Sequence, residues 1–114
     1  EFSIISPDKV VTLECDLLSP CALGNVINEK NIDNLKCQMI VGAANNQLDN
    51  DDTGLRLKRN KVVYSPDFLV NSGGVIAISC EINKKEKDLE DQLNFIGKRT
   101  TEVLEISQKS NNYG

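Results

Sequence analysis

The sequence predicts an α/β fold with a mostly parallel sheet and flanking helices. Two observations carry that expectation. Short apolar runs of strand length alternate with stretches whose apolar residues recur at helical spacing, as they do when crossover helices join parallel strands. Each strand-like run also closes on a segment that is small, polar or glycine-rich. In α/β sheets ligands bind outside the carboxyl ends of the strands, so these segments would line one rim.

Residues 13–18 read as the first strand, stopped by Ser19-Pro20 because proline supplies no backbone donor to the ladder. Residues 32–35 read as one helical turn. Residues 37–41 form a second, buried strand that ends at Gly42. The polar stretch from Asp49 to Gly54 offers several N-caps for a short helix through Leu55, Leu57 and Lys58. A third strand over residues 61–64 is closed by Ser65-Pro66-Asp67. The apolar segment 75–82 fits a helix or a strand, since periodicity does not separate the two. Leu89, Leu93, Ile96, Thr100, Val103 and Leu104 then recur at three-to-four spacing, one face of an amphipathic helix of about five turns. Residues 1–109 are expected to belong to one domain, and residues 110–114 to be a frayed tail.

Composition narrows the function. With 114 residues the chain holds one domain or less. The hydrophobic fraction of 39% and charged fraction of 26% are those of ordinary globular proteins. No apolar run approaches the roughly 20 residues that span a bilayer, and no secretory leader is visible. The net charge of −4 and the mixing of signs in Lys84-Lys85-Glu86-Lys87-Asp88 speak against a nucleic-acid partner. The chain has four cysteines, no C-x-x-C pair and no histidine. A cysteine–histidine zinc site and a histidine-assisted nucleophile are therefore excluded, and no metal site is expected. Cys15, Cys21, Cys37 and Cys80 are expected to be buried, reduced thiols of a cytosolic protein.

The rim segments have plain alternatives when taken singly. Asn45-Asn46 fits an Asx turn, and Gly73-Gly74 fits the release of a tight turn before a helix. Together they carry more. The stretch Asp16-Leu17-Leu18-Ser19-Pro20-Cys21-Ala22-Leu23-Gly24, then Val41-Gly42-Ala43-Ala44-Asn45-Asn46-Gln47-Leu48, then the run from Tyr64-Ser65-Pro66-Asp67 to Asn71-Ser72-Gly73-Gly74-Val75-Ile76 resemble, in order and spacing, the glutamate/leucine/phenylalanine/valine dehydrogenase family, and leucine dehydrogenase in particular. The resemblance spans residues 1–107.

That resemblance implies a partial Rossmann-like, doubly wound sheet, the second half of a dinucleotide-binding domain. It implies NAD as cofactor and an amino acid and its 2-oxo acid as small-molecule partners. Cys21, Ala22 and Leu23 would lie beside the cofactor near its riboses. Asn45 would hold the nicotinamide carboxamide, a role that suits an amide, which both donates and accepts. Asn71 would sit near the substrate head group, and Val75 and Ile78 would line the side-chain pocket. Burying a γ-carboxylate against that pair without a partner is costly. An aliphatic side chain gains about 0.8 kcal/mol per buried CH₂ there, which favours leucine or valine. Core packing is the alternative for Val75 and Ile78.

The departures are large. The glycine-rich fingerprint is absent, as is the acidic residue expected about 20 positions after it, so the chain is expected to begin after the first βαβ half. The lysine and aspartate that the family draws from its substrate domain have no counterpart here, so no catalytic residue is assigned and the chain alone is expected to be inactive. Residues 2–11 and 83–88 match poorly. An inactive paralogue that serves as a binding module, and a dehydrogenase specific for phenylalanine or glutamate, stand as alternatives. The family's members are homo-oligomers, and a cytoplasmic homo-oligomer is expected. A half-sheet exposes strand edges and an apolar face, so the chain should either self-associate or cover that face with its long helix.

Overall fold

Three short strands lie side by side and parallel, in the order β1 (Glu14–Leu18), β2 (Lys36–Ile40), β3 (Val63–Tyr64). This is a computed structural model, and it describes residues 2–110. The helices are α1 (Pro7–Val10), α2 (Asp51–Arg59), α3 (Asp67–Val70), α4 (Gly73–Ile82) and α5 (Leu89–Ser110), with single 3-10 turns at Ile32–Asn34 and Glu86–Asp88. Parallel neighbours cannot be joined by a hairpin, so each connection crosses over. The first crossover is irregular apart from its 3-10 turn, and the second runs through α2.

Strand register sorts the side chains into rows. Leu18 pairs with Ile40 and Ile40 with Tyr64. This row joins Ile27, Ile32, Leu57 and Val62 in the core, where Ile27, Ile32, Ile40 and Leu57 are fully buried. One residue back, Leu17 pairs with Met39 and Met39 with Val63. Alternation turns this second row to the other face, and Leu17 is left 52% exposed. The long helix α5 packs on α3 and α4 rather than over that row. Covering the open face with the long helix is therefore not what the chain does.

Local chemistry explains the helix ends. The Asn50 side chain accepts the Thr53 N–H at 2.9 Å, and Asp51 and Asp52 in the first turn of α2 complement its dipole. The buried Thr53 hydroxyl donates to Asp49, whose carboxylate also accepts Glu29 N–H at 3.3 Å. At the other end Val62 N–H reaches back to Leu57 O and Lys61 N–H to Lys58 O, both at 2.9 Å. This pairing is a Schellman ending, and Lys61 takes the left-handed position with φ 60°. The third strand therefore starts at Val63, two residues later than the sequence suggests, because Lys61 and Val62 are spent closing α2. The same device ends α4. Lys85 N–H donates to Cys80 O at 2.8 Å and Lys84 N–H to Glu81 O at 3.1 Å, with Lys84 at φ 55°.

The ambiguous segment 75–82 is helical, and α4 begins earlier, at Gly73. A Cβ at position 73 would stand 3.4 Å from Leu93 Cδ2, in contact with the end of a flexible side chain, so α4 packs on α5 at this point. On α5 the predicted face faces inward: Ile96, Thr100 and Leu104 are half-buried, while Leu93 and Val103 sit at the margin. The helices α1 and α3 are too short to leave a periodic signal. Of the tail expected over 110–114, Ser110 closes α5 and the remainder lies outside the described residues. Among the described residues no helix is long and apolar enough to cross a membrane.

The two left-handed lysines predict a gain of stability. A non-glycine residue there costs about 1–2 kcal/mol, against about 0.5–1 kcal/mol of extra entropy for glycine. Lys61→Gly and Lys84→Gly should each raise unfolding free energy by about 0.5–1 kcal/mol. A urea midpoint that moves up for each glycine variant, and does not for the matching alanine variants, checks this.

Candidate cofactor and substrate site

The loops that follow the three strands meet at one edge, and backbone contacts hold them there. Val41 N–H donates to Leu18 O at 3.1 Å and Ser65 N–H to Ile40 O at 3.0 Å, carrying the parallel pairing past the strand ends. Ala44 N–H then donates to Pro20 O at 3.0 Å. At Gly42 the two loops press together. A Cβ there would stand 2.6 and 2.7 Å from the backbone N and C of Pro20, and closer still to its carbonyl oxygen. Gly24 makes a similar approach, since a Cβ would stand 2.8 Å from Asn45 O. Asn25 N–H donates to Asn46 O at 2.7 Å, with both asparagines left-handed at φ 57° and 50°. Asparagine tolerates that conformation better than other side chains, which gives the Asn45-Asn46 turn its local cause.

On this frame the predicted residues fall into three groups. Cys21, Ala22 and Leu23 are exposed on the first loop, Leu23 by 77%. Cys21 is no buried thiol. It lies 3.4 Å from Ser19 Oγ, and that contact, with the Ala43 N–H, holds its pKa below the ordinary thiol value. Cys37 and Cys80 are buried, as expected, and burial pushes the Cys37 thiol up. Asn45 and Asn71 come together from different loops: Asn71 Nδ2 donates to Asn45 Oδ1 at 2.6 Å. Asn45 Nδ2 and Asn71 Oδ1 take no partner among the described residues, so the pair presents one donor and one acceptor outward. Val75 and Ile78, one helical turn apart on α4, are 72% and 58% exposed. They are not core residues, and Ile82 extends the same stripe at 75% exposure. In the chain, Ser72, Gly73 and Gly74 stand between Asn71 and this stripe.

Two residues of this edge stand inside the quoted motifs, yet nothing in the sequence gives them a role. Gln47 is fully buried and donates from Nε2 to Gly42 O at 2.6 Å and to Ala44 O at 3.0 Å. Its N–H donates to Asp67 Oδ2 at 3.1 Å. A buried glutamine among asparagines in a polar loop looks like any solvated amide until the fold is known. Asp67 also adds to the effect of burial in raising the Tyr64 phenol above its ordinary pKa. A cavity of about 1020 Å³ opens farther along, between α2, β3 and α5, bounded by Leu57, Tyr64, Phe68 and Leu104. Asn46 and Asp67 lie on its wall, but Cys21, Ala22, Leu23, Asn45, Asn71, Val75 and Ile78 do not line it, so the rim and not this cavity is the candidate site.

Doubly wound α/β domains place their ligands outside the carboxyl ends of the strands, and here that edge gathers Gly24, Gly42 and the Asn45–Asn71 pair. Residues 1–110 match the model of the Glutamate/Leucine/Phenylalanine/Valine dehydrogenase family, and the chain belongs to that family. It is 45% identical over 78 residues to a leucine dehydrogenase of Thermoactinomyces intermedius, covering 68% of this chain and 21% of that protein. It is 42% identical over 79 residues to a phenylalanine dehydrogenase of the same organism, covering 69% of this chain and 23% of that protein. Among solved structures it superposes on the L-tryptophan dehydrogenase of Nostoc punctiforme with a TM-score of 0.89 at 32% identity, covering 94% of this chain and 33% of that one. The chain thus spans a third or less of the length of these relatives.

Gly42→Ala should separate the two loops. Overpacking of this kind costs typically 1–3 kcal/mol, and the obstacle here is backbone, so a loss of at least about 2 kcal/mol is expected. Urea unfolding of Gly42→Ala beside Ala43→Ser, an exposed control, measures it.

Proposed function

We propose that the chain is the nicotinamide-side part of an NAD-dependent dehydrogenase that deaminates an aliphatic L-amino acid to its 2-oxo acid and ammonia. The observation that carries this reading is the Asn45–Asn71 pair, one amide from each of two neighbouring loops, bonded at 2.6 Å at the carboxyl edge. The residues fit the cofactor. Asn45 keeps its Nδ2 donors for a carboxamide oxygen, and the close approach at Gly24 and Gly42 keeps the loops low enough for a ligand to reach the backbone. The cofactor, when bound, supplies the redox chemistry. Asn71 Oδ1 is an acceptor for the substrate's amino group. The chain's own part is to bind and orient; no catalytic residue is assigned within it.

Val75 and Ile78 support an aliphatic substrate. Large apolar side chains so exposed beside a polar rim mark a binding surface. A γ-carboxylate laid on them would lose its water without gaining a partner. An aromatic substrate is the second reading, and one observation favours it. A Cβ at Gly74 would meet nothing within 4 Å, which leaves open space beside Val75 for a ring.

An activity assay on the full-length gene product with NAD and L-leucine, L-valine, L-phenylalanine, L-tryptophan and L-glutamate tests the reading. Preference for leucine or valine is expected, and turnover of glutamate alone would sink the pocket argument. Asn71→Ala should lower kcat/KM by about 10- to 100-fold, the loss of one hydrogen bond to a charged group. The cofactor loop has its own test. Cys21 should be alkylated with a pH midpoint below the ordinary thiol value of about 8.5, because its thiolate is favoured. NAD should slow that labelling; an unchanged rate at saturating NAD would remove Cys21 from the cofactor surface.

A further inference from the structure

A closed circuit of contacts runs behind the ligand-facing amides. Gln47 N–H donates to Asp67 Oδ2 at 3.1 Å. The Asp67 carbonyl accepts Asn71 N–H at 2.9 Å. Asn71 Nδ2 donates to Asn45 Oδ1 at 2.6 Å, and the backbone returns through Asn46 to Gln47. Asp67 is the first residue of α3 and Asn71 is its C-cap, so this single short turn carries the path from one loop to the other.

The two residues at the back of the circuit are committed to the loops: Gln47 is sealed from solvent, and the partly buried Asp67 is engaged by backbone N–H groups. Gln47 is 0% exposed. Both hydrogens of its side-chain amide are directed at carbonyls, those of Gly42 and Ala44, in the turn that presents Asn45. Asp67 has both carboxylate oxygens engaged, Oδ2 by Gln47 and Oδ1 by Phe68 N–H at 2.7 Å. Two carbonyl oxygens facing one buried position require a donor with two hydrogens. A carboxylate there would be repelled, and a hydrocarbon would leave both carbonyls unpaired. The circuit therefore demands an amide at position 47 and an acceptor at position 67.

We propose that Gln47 and Asp67 are positioning residues for the dehydrogenase reaction, setting the spacing of Asn45 and Asn71 without contacting cofactor or substrate. The proposal rests on the reading of Asn45 and Asn71 as the ligand-facing pair. Gln47 fixes the turn that carries Asn45 from within. Asp67 joins that turn to the helix that carries Asn71. Breaking either link lets the two amides drift apart, and misplacement by about 1 Å costs about 10²-fold in rate.

The test uses the full-length protein, with Asp67→Ala, Asp67→Asn, Gln47→Leu, Asn71→Ala and the double variant Asp67→Ala/Asn71→Ala. Three quantities are read: kcat/KM, NADH affinity by fluorescence titration, and hydrogen exchange of the peptide over residues 41–48. Asp67→Ala should lower kcat/KM by about 10²-fold and speed exchange in that peptide while exchange in β1 and α5 stays unchanged. Asp67→Asn keeps an acceptor oxygen and should recover to within about tenfold of the parent. In the Asn71→Ala background, Asp67→Ala should cost clearly less than it does alone, since part of its effect passes through the residue already removed. A general structural role would multiply the two losses and would not be relieved by Asp67→Asn; that result overturns the proposal. Gln47→Leu should reproduce the exchange signature, and where it fails to fold the Asp67 variants decide. If Asn71→Ala itself keeps parent activity, the ligand-facing reading fails and the positioning role falls with it. If Asn71→Ala is impaired and Asp67→Ala is not, the positioning role alone fails.

Discussion

The carboxyl edge of the sheet depends on two backbones meeting where no side chain has room to stand. Gly42 lies against Pro20 so closely that a single methyl group would collide with the proline's backbone on three atoms. That contact sets the height of the first two loops relative to each other. It brings Ala43 N–H to Cys21 and Ala44 N–H to Pro20 O, and it puts the turn over Asn45 beside Gly24. Parallel strands diverge from their connections at the carboxyl ends, and an unsupported loop there would be free to wander. Here the loops are tied to each other before any ligand arrives, so the cost of ordering them is met by folding and not by binding.

Polarity is managed in two layers at this edge. The outer layer, Asn45 and Asn71, satisfies one bond internally and leaves one donor and one acceptor to the solvent side. The inner layer, Gln47 Nε2 and the Asp67 carboxylate, is taken up by backbone groups of the loops, while Gln47 Oε1 is buried without a partner among the described residues. A buried amide without partners would cost about 1–3 kcal/mol. Gln47 meets that demand on its donor side, with two carbonyls that would otherwise be left unpaired. The division explains why amides and not charges dominate the rim. An amide can bind its neighbour with one end and a ligand with the other, whereas a buried charge needs all its partners in place.

Much of this was legible in the residues, and what was hidden had physical reasons. The three strands, the N-capped helix after Asp49 and the inward face of α5 follow from alternation, caps and three-to-four spacing, and the structure contains each of them. Asn45 and Asn71 were singled out by motif, and the structure places them in contact, which the sequence distance of 26 residues could not show. The third strand was overextended because Lys61 stands at a left-handed cap where glycine is the usual signal, and a lysine there reads as strand continuation. The same disguise at Lys84 hid how α4 gives way to α5. Gln47 stayed hidden because its burial is a property of two loops brought together, and no pattern within residues 41–48 encodes it.

The exposed apolar residues fall into two kinds, and telling them apart decides where the site is. Leu17 belongs to a row that continues through Met39 and Val63 across all three strands. Parallel strands are covered on both faces as a rule, so that row is a surface for packing. Val75, Ile78 and Ile82 belong to no sheet. They recur at three-to-four spacing on α4, whose opposite side already buries Cys80 and packs on α5. A helix with one face satisfied gains nothing for its own stability from a second apolar stripe in water. The stripe starts directly after Asn71-Ser72-Gly73-Gly74, where polar recognition ends and open space begins. An apolar wall next to an amide pair is the layout that a molecule with a charged head and a hydrocarbon side chain requires. On the proposed function, Asn71 would take the head and the wall would take the chain by burial alone.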